Sequence, residues 1–251
     1  MKTRFLNFGA LVLVLSVASF AAPQGKGPAN PGVVPPQATF RGLTYGEWHV
    51  LWWQWADSMT NAVSPVTQKG GVVDTSNQSG NVWFLAGYFG DWFNPQDPVK
   101  FTRKITIPSG TALFFPILNG ELTPAEYAVY LETAGDDPLS QWEYLESWFA
   151  DPSLVVVMEA KIDGRLVTNL GAYRAPSPEP YTIYLPPDDN HMMDYYPDGG
   201  EVYPVYSDGW CLLVEPLSVG KHVISFKASF GPNLGMDITY QITVVPAGKA
   251  K

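Results

Sequence analysis

The chain has 251 residues, with 15 lysines and arginines against 24 aspartates and glutamates, for a formal net charge of −9. A surface of that sign disfavours nucleic acid and anionic membranes, which are held by neutralising phosphates with basic side chains, and suits neutral or cationic ligands. A single cysteine, Cys211, excludes an intramolecular disulfide, so the fold must rest on its apolar core.

The first residues read as an export signal. Lys2 and Arg4 precede an apolar run over 5–20, and Ser19-Phe20-Ala21 suits signal peptidase, so a cut is expected after Ala21. Losing those two positive charges takes the formal −9 to −11, and the mature protein is expected to be periplasmic or secreted. No later run reaches the roughly 18 apolar residues that span a bilayer. Residues 22–38, rich in proline, glycine, glutamine and asparagine, read as a linker to a single domain over 39–246, with a tail over 247–251.

Four of the nine tryptophans, Trp48, Trp52, Trp53 and Trp55, fall within eight residues. Thr44 and Glu47 have capping-box spacing, and Leu43 and Trp48 occupy the hydrophobic-staple positions, so a helix is expected here. At about 100° per residue, Trp48, Leu51, Trp52, Trp55 and Met59 share the core-facing arc, and Gln54, Asp57 and Ser58 lie opposite. Trp53, off that arc beside His49, is the tryptophan expected at the surface.

A long loop over 60–81, with a short strand at Val72-Val73, leads to strands over 82–87, 99–107 and 111–118. The second alternates with period two, and Pro116 places the third at an edge or a bulge. Thr123-Pro124-Ala125-Glu126 predicts a helix over 124–133, and a second is expected over 139–149. Asp163-Gly164 joins strands over 154–162 and 166–169 in a tight hairpin. From 175 to 206 the chain is rich in proline, aspartate and tyrosine, with only 181–185 strand-like, and such a length of irregular sequence points to function or mobility. Strands over 209–214, 221–230 and 236–245 close the chain, with Cys211 as a buried strand residue.

Many short strands, few helices and no alternating βα rhythm predict a mainly β fold. The expected architecture is an antiparallel β-sandwich, jelly-roll-like or elaborated immunoglobulin-like, with the tryptophan-rich helix at its start and two inserted helices.

Trp52-Trp53-Gln54-Trp55-Ala56, Val82-Trp83-Phe84-Leu85-Ala86-Gly87 and Ala112-Leu113-Phe114-Phe115-Pro116-Ile117 with Asn119 resemble the fingerprint of a family of uncharacterised secreted bacterial proteins. The resemblance spans most of the mature chain and implies export and a β-rich fold, with no established activity. It also implies that relatives carry cysteines at the positions of Asp74 and Ile105, tying the 60–81 loop to the neighbouring strand. That tie is absent here.

No nucleophile elbow, dinucleotide fingerprint or His-Glu-x-x-His motif is present. His222 sits at a strand start, where a corner ring can bond back to backbone or serve as an acid–base group. Glu47 is a capping residue or faces a cleft. Asn119 and Glu121 directly follow a buried strand, where scaffolds present functional groups. The segment 188–194, Asp-Asp-Asn-His-Met-Met-Asp, has the donors for calcium or copper but the spacing of neither, so no metal set and no cofactor is expected, calcium being the nearest alternative.

Two functional readings result, with a third behind them. In the first, the protein binds an extracellular glycan or other partner through the acidic, tyrosine-rich loop, using Tyr195, Tyr196, Tyr203 and Asn119 with Trp53 and Trp92. In the second, it is a glycoside hydrolase or polysaccharide lyase using Glu121, Asp208 and Glu47 with His222, whose carboxylates folding alone would bring together. A cell-envelope structural role is the third.

Overall fold

A computed structural model describes residues 30, 32–89, 99–151, 154–230 and 234–248, with only the backbone of Val156 and Leu234. Trp92 and the export signal lie outside the described residues. The fold is mainly β and has two sheets. Helix α1 (Tyr45–Asp57) is followed by β1 (Gly71–Val72), β2 (Val82–Phe84), β3 (Val99–Pro108) and β4 (Ala112–Leu122). Helices α2 (Pro124–Leu131) and α3 (Gln141–Ala150) come next, then β5 (Val155–Ile162), β6 (Arg165–Leu166), a 3₁₀ turn at Leu170–Tyr173, and β7 (Tyr181–Leu185). The chain ends with β8 (Gly200–Val214), β9 (Gly220–Phe230) and β10 (Leu234–Val245). None of the described helices is long and apolar enough to cross a membrane.

One sheet runs β1-β3-β10-β9-β5-β6 and the other β2-β4-β8-β7. The expected all-antiparallel pairing is corrected: β3 runs parallel to β10 over ten register pairs, and β1–β3 and β2–β4 are also parallel. Period-two alternation identifies a strand without giving the direction of its neighbour, so this distinction was invisible in the sequence. The 60–81 loop is nevertheless tied to β3, through the β1 ladder and Val73 N–H on Lys104 O at 2.9 Å.

Ring contacts set the layers. Phe115 stacks on Phe226 of the six-stranded sheet at 5.0 Å, whereas Phe114 meets Tyr45 of α1 at 6.2 Å. The four-stranded sheet thus lies between α1 and the six-stranded sheet, which explains why β4 is apolar on both faces. The outer face of the six-stranded sheet is polar. Lys100, Asp237, Lys227 and Glu159 form one cross-strand row of alternating charge, closed by contacts at 3.1 and 3.3 Å.

All three α-helices among the described residues start with complete capping boxes, Thr44/Glu47, Thr123/Glu126 and Ser140/Glu143. Asp163 and Gly164 both adopt positive φ, as the tight hairpin between β5 and β6 requires. The linker expectation fails for its last residues. Val33 and Val34 are buried, Val33 bridges Val214, and Tyr45 Oη donates to Val34 O at 2.6 Å. Strand β8 begins at Gly200, well before the expected 209, so Tyr203 and Tyr206 are strand residues rather than loop residues. Val202 and Val205 carry its inward face, and Pro204 between them obscured the alternation.

Candidate functional site

The helical wheel is turned from the expected one. Tyr45, Trp48, His49, Trp52, Trp53, Ala56 and Asp57 are the buried positions, while Leu51 faces solvent. Trp53 is corrected from a surface residue to a core residue 3% exposed, stacked on Phe89 at 5.4 Å. Its Nε1–H donates to His49 Nε2 at 3.0 Å. Asp57, expected on the polar face, is fully buried as the last residue of α1. Tryptophan-dominated hydrophobicity pulled the expected arc toward Trp55, but packing follows the ladder 45, 49, 53, 57, each step one helical turn.

Strand β4 supplies the opposing wall, and a bulge aims it. The β4–β8 register shifts between Pro116 and Leu118. Before the bulge the even position Phe114 faces α1; beyond it the odd positions do, for Asn119 meets His49 and Glu121 meets Asp57. An extra residue inverts the facing of everything after it. Without it, Asn119 and Glu121 would point at the other sheet. Both were expected just past the strand, whereas β4 continues through Leu122 and buries them.

His49 is a neutral structural residue. Trp53 Nε1 can only donate, so Nε2 must accept, from Asn119 Nδ2 as well at 3.0 Å, and Nδ1–H donates to Ala175 O at 2.7 Å. Burial lowers its pKa from the usual 6.5 to about 4. Asn119 is therefore consumed in positioning His49 and is not offered to a ligand.

Beside this network Asp57, Glu121 and His191 converge, with one ligand atom from each lying within 4.8 Å of the others. His191 Nε2 is 3.3 Å from Asp57 Oδ1 without hydrogen-bond alignment. Tyr181 of β7 donates to Glu121 Oε2 at 3.3 Å, and Ser207 of β8, the register partner of Glu121, lies beside that hydroxyl. Phe89 packs on the His191 ring at 5.7 Å, closing the side toward Trp53.

Six buried side-chain atoms lack a hydrogen-bond partner among the described residues, and four of them are here: both oxygens of Asp57, Oε1 of Glu121 and Nδ1 of His191. A fifth is Ser207 Oγ. Native folds leave few such atoms, each costing about 1–3 kcal/mol, so their convergence at one point calls for an explanation.

The electrostatics point the same way. Burial, then the charge of Glu126, pushes the Asp57 carboxyl well above its usual range; burial, then Asp57 and Glu126, does the same to Glu121. Burial lowers the His191 pKa to about 4, leaving its imidazole neutral with a free lone pair. Asp57 also stands at the negative end of α1, whose last turn has no basic residue. Among the described residues, the charges acting on Asp57 and Glu121 and the end of α1 beside them are all negative, so the pocket attracts either protons or a cation.

The other expected site residues lie elsewhere. Glu47 Oε2 is taken by the Thr44 N–H and hydroxyl in the α1 cap at 2.7 and 2.8 Å. Asp208 is fully buried in a forked ion pair with Arg174, whose Nε is 3.1 Å from both oxygens, so it holds β8 to the 3₁₀ turn and is not free for catalysis. His222 is a corner residue in the opposite sheet, bridging Ser218 O at 2.9 Å and Asp163 Oδ2 at 2.7 Å. Both ring nitrogens must donate, which excludes His222 as a base toward the Ser218 hydroxyl 3.3 Å away. Tyr196 is half-buried, its hydroxyl accepting from Ala125 N at 3.2 Å, while Tyr195 and Tyr203 are exposed. Cys211 is buried and free, as expected.

Two carboxylates thus do converge, as a glycosidase requires, but a sugar chain cannot reach them: Asp57 is 0% and Glu121 7% exposed. Sequence reasoning found Glu121 and missed Asp57 and His191. The missed signal was the one-turn ladder ending at Asp57. Comparison of the chain with protein-family models and with curated proteins finds no match.

Proposed function

We propose that this is an exported β-sandwich protein whose working centre binds a divalent cation between Asp57, Glu121 and His191. The observation that carries the reading is that Asp57, Glu121 and His191 bring one ligand atom each within 4.8 Å of one another, where both Asp57 oxygens and Glu121 Oε1 are buried without a donor. Two ligands held at about 2.0–2.1 Å in tetrahedral geometry stand roughly 3.3 Å apart, which is the His191–Asp57 separation of 3.3 Å. Export is supported by the basic start, apolar run and Ser19-Phe20-Ala21.

Chelator-stripped protein, offered a panel of divalent cations and analysed for metal after desalting, is expected to retain one ion per chain. Asp57→Asn combined with Glu121→Gln is expected to abolish retention. Failure of the folded wild type to retain any cation overturns the proposal and leaves the pair as two carboxyls that hold protons.

A second, glycan-facing reading has one observation behind it. Tyr184 and Tyr203, 61% and 59% exposed, flank Glu201 on the outer face of β7–β8, where rings can stack on sugar faces. Retention on insoluble polysaccharide that the double variant Tyr184→Ala, Tyr203→Ala loses would support it; no retention by the wild type ends it.

A further inference from the structure

We infer that His191 is the specificity-determining ligand of this centre, making its cation a transition ion of the zinc class rather than calcium or magnesium. The inference rests on the cation reading above. Asp57 and Glu121 project from a helix end and a central strand, and both are hard oxygen donors. Calcium wants six to eight oxygens, and magnesium keeps several waters in octahedral array. The pocket supplies two carboxylates and, beyond them, the Tyr181 and Ser207 hydroxyls, all four residues buried, with Phe89 packed on the His191 ring. That is too few oxygens for calcium and too dry for magnesium. A neutral imidazole beside two carboxylates is instead a donor set for zinc, cobalt or nickel, and three protein ligands suffice for a four-coordinate ion that keeps one further position.

The fold places that nitrogen deliberately. His191 is carried on residues 186–199, the connection between the register partners Leu185 and Gly200. The side chain of Asn190 holds this loop together: Nδ2 donates to Pro186 O and Tyr196 O, both at 2.9 Å, and Oδ1 accepts from Met192 N at 2.8 Å. Asn61 fastens the loop to the segment after α1, through its N–H on Asp189 O at 3.1 Å and its Nδ2 on Asn190 O at 2.9 Å. These bonds fix the backbone on both sides of His191, whose Nε2 stands 3.3 Å from Asp57 Oδ1. A compact loop closed on itself in this way is a rigid arm, and Asn190 is its positioning residue.

The test titrates the chelator-stripped full mature chain separately with Zn²⁺, Co²⁺, Ca²⁺ and Mg²⁺ by calorimetry, with hydrogen exchange over 187–196 as a second readout. Zinc and cobalt are expected to bind at least about a hundredfold more tightly than calcium or magnesium, and zinc is expected to slow exchange in the loop. His191→Ala and the bulkier His191→Gln are both expected to lose that preference, by about a hundredfold in zinc affinity. Comparable calcium and zinc affinities in the wild type, or an intact zinc preference in both folded variants, overturn this inference and leave the cation site standing. Absence of binding by any cation overturns both.

Discussion

Replacing Asp57 by leucine should stabilise the cation-free protein and destroy its response to metal. The two side chains branch alike at Cγ, so the change replaces two oxygens by two methyls in nearly the same place. In the folded state those oxygens are buried without a donor and lie among the like charges of Glu121 and Glu126. One unsatisfied buried group costs about 1–3 kcal/mol, and the leucine methyls gain apolar burial in exchange. Taking a net gain of about 1–3 kcal/mol, and about 2–4 °C per kcal/mol for a domain of this size, Tm in chelator should rise by roughly 2–12 °C. Zinc should reverse the order. At a free concentration of 1,000 Kd a bound ion adds about 4.1 kcal/mol to the wild type and nothing to the variant, which exceeds the upper end of that gain. Differential scanning fluorimetry of both proteins, in chelator and across a zinc series, measures all four states. A variant less stable than wild type in chelator would mean that Asp57 is a satisfied structural charge. Equal zinc shifts in the two proteins would mean that the ion binds elsewhere.

Three further outcomes follow from other buried groups. His49 has a folded pKa of about 4 against 6.5 unfolded, so its stabilisation is complete above pH 6.5 and is lost as pH falls through 4; urea titrations in chelator should show about 3 kcal/mol of acid destabilisation that His49→Gln lacks. His222 runs the other way: the hydrogen bond its Nδ1–H donates to Asp163 raises its pKa, so its contribution is present below 6.5 and lost as pH rises through the folded value. An imidazole titration followed by NMR should place its midpoint above 6.5, and Asp163→Asn should bring it down. Arg103, 1% exposed, donates to the carbonyls of Pro65, Gln68 and Ala86 and to the Tyr240 hydroxyl, so Arg103→Lys, which cannot reproduce the fork, should cost about 2–4 kcal/mol in chemical denaturation.

What was legible in the sequence was local. The Thr44 and Thr123 caps, the Asp163-Gly164 turn and the period-two strands each declare themselves within a few residues, and each is present. Glu121 was legible because a polar residue at the end of an apolar strand is uncommon. The rest depended on long-range pairing. Strand direction, the Val33 bridge and the β4 bulge follow from which segments meet, and hydrophobic periodicity carries no such information. His191 was weighed only against its neighbours in 188–194, yet its companions are Asp57 and Glu121, more than sixty positions away in sequence. A metal search by linear spacing finds fingers and EF-hands and is blind to a centre assembled from a helix end, a bulged strand and a loop.

The tryptophan helix takes its place in this argument as a wall. Its rings do not stack on a ligand; Trp52 and Trp53 pack edge to face at 5.0 Å, and Trp53 lies on Phe89, which covers His191. Those aromatics pack beside Asp57, which is fully buried at the end of the same helix. Excluding water raises the cost of an unpaired charge there and strengthens the attraction of any cation that pairs with it. The residues that give the chain its most conspicuous sequence feature therefore act one step away from the proposed cation site. A smaller side chain at Trp53, by admitting water beside His191, should relax the demand for a counter-ion before it unfolds the protein.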